Sequence, residues 1–135
     1  MRAVVAGLLL VAVGCSEQPD PNRFYPPADR ARQALEAALT AWQNGAPTGP
    51  VPGTANPQVQ LADNQRPPGQ RLKSFTILGA APGDGPRVFT VRLALEHPAA
   101  EQKVRFVVFG IDPVWVFRHE DYEMMSMWCP PTPAK

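Results

Sequence analysis

The sequence predicts an α+β fold, with one N-terminal amphipathic helix packed on an antiparallel meander sheet of four to five strands. Ala31, Ala34, Leu35, Ala38, Leu39 and Trp42 recur at helical spacing along one face. Phe89, Val91, Leu93 and Leu95 alternate with Val88, Thr90, Arg92, Ala94 and Glu96, and Val104, Phe106 and Val108 repeat that alternation after a short break. The first period is that of a helix and the second that of strands half-buried on one face. The chain's 17 prolines in 135 residues exceed the usual share of about 5% more than twofold. They cluster at 19–27, 47–57, 67–68 and 130–133, so they mark tethers and loops and leave room for one domain.

Residues 1–14 form a leader. One positive residue, Arg2, precedes an uncharged apolar run from Ala3 to Val13. A spanning helix needs about 20 apolar residues, so this run is too short to cross a bilayer and reads as the core of an export signal. Gly14-Cys15 closes it, in "AVGC". That ending resembles the lipobox of bacterial lipoproteins, with Ala12 where leucine is usual. The resemblance implies that Cys15 is acylated and becomes the mature N-terminus, and that the chain is a lipid-anchored protein of the cell envelope. Ser16, in place of aspartate, resembles the pattern of lipoproteins destined for the outer membrane and facing the periplasm. Each buried acyl CH₂ contributes about 0.8 kcal/mol of membrane affinity, so several chains on Cys15 would hold the domain at the surface. Residues 15–28 then read as a proline-rich tether of extended character.

The domain is expected over 29–123. Asp29 is a candidate N-cap and Asn44-Gly45 a candidate stop for the helix. "GAPTGPVPGTANPQ" is loop, Val59 and Leu61 mark a short strand, and "RPPGQ" breaks the chain again. Strands follow at 71–79, 87–97, 102–111 and 113–119. A four-residue turn at 98–101 sets Leu95 opposite Val104, Leu93 opposite Phe106 and Val91 opposite Val108, with Glu96 facing Lys103 and Ala94 beside Arg105. Val107, Phe109 and Ile111, followed by "PVWVFRH", make the last strands apolar on both faces. One helix covers only one face of such a sheet, so the second is a candidate surface for a protein partner.

A helix followed by an antiparallel meander resembles the cystatin-like and NTF2-like α+β folds. The inhibitory cystatins carry a Gln-X-Val-X-Gly loop, and "QVQLA" at 58–62 lacks its glycine and misplaces its valine, which argues against protease inhibition. The stretch from Phe89 to Trp128 also resembles a set of small exported bacterial lipoproteins, a likeness that implies no activity.

Thirteen basic residues face twelve acidic ones, and loss of Arg2 with the leader leaves them equal. That balance gives no electrostatic footprint for nucleic acid. Among titratable groups the densest set is "RHEDYE" at 118–123. His119 and Asp121 there are the residues a small NTF2-like pocket enzyme would use as base and acid. Contiguous charges at a strand end are more simply a solvated rim, and no catalytic residue is assigned. His97 reads as a turn residue, and Asp112-Pro113 as hairpin chemistry.

The segment 124–135 opens with "MMSMWC" and ends rich in proline. Thioethers and a thiolate are soft ligands, so Met125, Met127 and Cys129 with His119 form a candidate Cu(I) set. The competing reading makes Met124, Met125, Met127 and Trp128 a lid over the apolar second face, since methionine packs well on aromatic rings. With Cys15 acylated, Cys129 has no disulfide partner. No cofactor is expected, and the sequence favours binding or assembly over catalysis.

Overall fold

The structure, a computed structural model, describes residues 25–83 and 85–127, with Met127 by its backbone alone. The leader, Cys15, most of the tether, Trp128 and Cys129 lie outside the described residues.

The fold is α+β, with two helices and a mixed six-stranded sheet. Helix α1 (Ala28–Gln43) buries Ala31, Ala34, Leu35, Ala38, Leu39 and Trp42, the stripe that the spacing predicts. Its start differs from expectation, because Pro27 occupies the cap position, with no side-chain cap. Asp29 sits in the first turn, where a carboxylate complements the helix dipole. The end follows a Schellman pattern. Gly45 N–H bonds Trp42 O and Ala46 N–H bonds Ala41 O, both at 2.9 Å, with Gly45 at φ +85°, a left-handed conformation that glycine adopts without a Cβ penalty.

Strands β1 (Gly49–Pro50), β2 (Val59–Ala62), β3 (Arg71–Ala80), β4 (Arg87–Glu96), β5 (Ala100–Phe109) and β6 (Val114–Arg118) lie in the order β1-β2-β6-β5-β4-β3. The expected all-antiparallel meander holds from β3 to β6. It fails at β2, which joins the edge of β6 in parallel, Val59 beside Val114 and Ala62 beside Phe117. The physical reason is burial. Val59 and Leu61 are apolar and reach the core by joining β6, one of the two edges that the meander leaves open, the other being β3.

The β4–β5 register is also corrected. Leu95 pairs with Ala100, Leu93 with Gln102, Val91 with Val104 and Phe89 with Phe106, so each β4 residue meets a partner four positions earlier than expected. The turn keeps four residues between paired positions but lies two residues earlier, at 96–99, with His97 in the left-handed region at φ 60°. An even slip keeps every side chain on its face, and Phe89, Val91, Leu93, Leu95, Phe106 and Val108 all enter the core as read. The expected Glu96–Lys103 pair is absent from the register. Lys103 lies opposite Arg92, whose Nε instead meets Glu101 at 3.3 Å.

Helix α2 (His119–Met127) is the second departure in class. No apolar stripe at 3.6-residue spacing marks it in the sequence. Tyr122 anchors it edge-on to Phe109 and Phe117, with ring centroids at 5.7 and 6.3 Å, over a face where Phe109, Phe117 and Trp115 stack in a row. The methionine lid is overturned for its first two members, since Met124 and Met125 are 61% and 42% exposed. The side chain of Met127, with Trp128, falls outside the described residues.

Candidate functional site

The parallel joint between β2 and β6 creates the polar centre of the molecule. Both strands alternate inward, Val59, Leu61 then Asp63 on one, and Val114, Val116 then Arg118 on the other. The register therefore delivers a carboxylate and a guanidinium side by side into the core. Arg118 donates from Nε to Asp63 Oδ1 at 3.2 Å and from Nη2 to Oδ2 at 2.8 Å. This is the two-pronged geometry that compensates desolvation best. Asp63 Oδ1 also accepts from Gln65 N–H at 3.0 Å, which fixes the turn that follows β2.

That turn carries Arg66 back against the cluster. Its Nε lies 3.7 Å from Asp63 Oδ2, too far for a hydrogen bond. The guanidinium carbon sits 3.7 Å above the Trp42 ring centroid, and Trp42 is itself held by its indole N–H to Gln70 O at 3.2 Å. Arg66 is 90% buried by side chain, 10% being exposed. Among the described residues its Nε and Nη2 are occluded from solvent and have no hydrogen-bond partner. Burial, opposed by Asp63 and reinforced by Arg118, brings its pKa down to about 10. Two guanidiniums thus flank the Asp63 carboxylate, and Arg118 already takes both of its oxygens.

Arg66 lines an open cleft of about 520 Å³ between the end of α1 and the 66–71 loop. Pro47, Pro67 and Pro68 form apolar walls, and Thr48 and Arg71 stand on the same lining.

His119 and Asp121 are placed differently from a catalytic pair. Asp121 is buried and accepts from Asn64 N–H at 2.7 Å and from Gln65 Nε2 at 3.4 Å, so it clamps the start of α2 onto the 63–66 turn. His119 Nδ1 lies 3.4 Å from Glu123 Oε1 along the helix. Neither lines the Arg66 cleft or the two other clefts of the described surface. Among the described residues no group of three or more His, Cys, Asp or Glu side chains is arranged to hold a metal ion. Of the candidate Cu(I) set, His119 faces Glu123 and Met125 is exposed, while Cys129 and the Met127 side chain lie outside the description.

Sequence reading missed Asp63, Arg66 and Arg118 as a group. A signal for two of them was present, because each continues an alternating apolar strand in the core-facing phase. For Arg66 there was none, since "RPPGQ" reads only as a break.

The chain matches no protein-family model, no curated protein and no solved structure in the comparisons made. No helix among the described residues is long and apolar enough to cross a membrane.

Proposed function

We propose that the chain is an envelope lipoprotein, tethered through acylated Cys15 and facing the periplasm from the outer membrane, whose α+β domain binds a ligand or partner and performs no chemistry on it. The single observation that carries the binding half is Arg66, a guanidinium nine-tenths buried, with two unpartnered nitrogens, on the wall of an open cleft. A buried guanidinium without hydrogen-bonded compensation is costly to hold, and an anion in the adjoining cleft would lower that cost through its charge. The two residues an NTF2-like enzyme would use are spent on internal contacts, Asp121 on the 63–66 turn and His119 on Glu123, which favours binding over acid–base chemistry. The anchor half rests on the leader and its Gly14-Cys15 ending.

Mass spectrometry of the mature protein tests the anchor. The expected result is a chain beginning at Cys15 and carrying acyl groups, with processing arrested by globomycin. An unmodified Cys15 in the mature protein would sink it.

A further inference from the structure

The cleft at Arg66 has the chemistry of a specific ligand class, and this inference deepens the binding-module reading on which it rests. We infer that the cleft takes a carboxylate carried on a compact apolar group, of the kind an acylated proline presents. The sign of the ligand follows from the charges. Asp63 is hydrogen-bonded by Arg118 and the Gln65 amide, and Arg66 meets it only as a 3.7 Å ion pair without a hydrogen bond, which leaves its guanidinium able to take a further anion. Arg71 adds a second cation to the lining, and the described lining holds no acid besides Asp63.

The point of attachment follows by elimination. Nε and Nη2 of Arg66 are occluded, which leaves Nη1 as the nitrogen that meets the cleft. The Trp42 ring behind the guanidinium fixes its plane, so the donor is held in place before a ligand arrives and little entropy is lost on binding. Thr48, on the same lining, adds a neutral hydroxyl to the cleft.

The apolar part of the ligand follows from the walls. Pro47, Pro67 and Pro68 present rigid faces without N–H donors, suited to a ring or short branched group and unsuited to a heavily hydrated dianion.

Titration of the full chain, followed by the indole N–H of Trp42 and the Nε–H of Arg66 in proton–nitrogen spectra, tests this. N-acetyl-L-proline is expected to shift both signals saturably, with acetate binding several-fold more weakly and inorganic phosphate more weakly still. Arg66→Lys, which keeps the charge and loses the stacked planar fork, should weaken N-acetyl-L-proline by at least about tenfold, or about 1.4 kcal/mol. Should that variant fail to fold, Arg71→Gln on the exposed rim is expected to weaken binding several-fold with the melting temperature unchanged. Shifts that do not saturate, that chloride reproduces, that phosphate produces more strongly, or that Arg71→Gln leaves unaltered would overturn the inference. The titration reads the cleft and mass spectrometry reads the anchor, so failure of either is distinguishable from failure of the other.

Discussion

Asp63 ties the turn that follows β2, at Gln65 and Arg66, to Arg118 on β6, 55 residues away in sequence. Its side chain is fully buried, so its removal leaves Arg118 as an uncompensated internal charge. Asp63→Ala should cost about 3–5 kcal/mol in a urea unfolding experiment. At the opposite end of β6, Gly110 has φ +92°, and a Cβ added there would meet Pro113 O at 2.6 Å. Gly110→Ala should therefore destabilise by on the order of 2 kcal/mol, by backbone strain and collision together. Alkaline pH separates two further residues. Tyr122 has its pKa raised above 10 by burial and then by the nearby Tyr25 phenol, so the folded state keeps a proton that the unfolded chain releases. Stability from this group is lost as pH climbs past 10. Arg66 is shifted down to about 10 by burial, so the folded state loses its proton before the unfolded chain does and stability rises with pH above that value. Tyr122→Phe removes the falling contribution, and its urea midpoint should decline less than that of the parent from pH 10 upward.

At the scale of elements, periodicity made α1 and the inward faces of β4, β5 and β6 legible, because apolar burial repeats every 3.6 or 2 residues and leaves that trace in the text. Pairing was less legible. The β4–β5 register shifted by four positions because a four-residue turn fits this stretch at 96–99 as well as at 98–101, and either keeps Val91, Leu93, Val104 and Phe106 on the core face. The parallel β2–β6 joint has no local trace at all, since it depends on which sheet edge remains open when the meander is complete. Helix α2 escaped for a related reason. It is held by one aromatic anchor, Tyr122, and by the buried Asp121 carboxylate rather than by a stripe. The site shares these limits, as Asp63 and Arg118 become partners only through the parallel joint. Register is open to direct test in a background lacking Cys15 and Cys129. Cysteines at Arg92 and Lys103, which face one another, should cross-link on oxidation, because paired strand positions lie about 4.5–5.5 Å apart. Cysteines at Ala94 and Arg105 should stay reduced, and the opposite outcome would restore the turn at 98–101.

Across the whole molecule, the cleft lies where α1 ends and the 66–71 loop begins, while Pro26, at the entry from the tether, is held by Arg87 Nε at 3.2 Å ahead of the start of α1. These are opposite ends of the first helix, about 24 Å apart for its 16 residues at 1.5 Å each. On the proposed reading, a domain tethered ahead of α1 and binding at its far end would present its cleft away from the point of attachment. The measurement that bears most directly on this arrangement is fractionation of cells making the parent chain or Cys15→Ser. The parent should sediment with membranes, and Cys15→Ser should remain in the soluble fraction with an unchanged melting temperature. Membrane association that survives Cys15→Ser, or loss of the folded domain in that variant, would contradict a lipid tether carrying an independently folded binding domain.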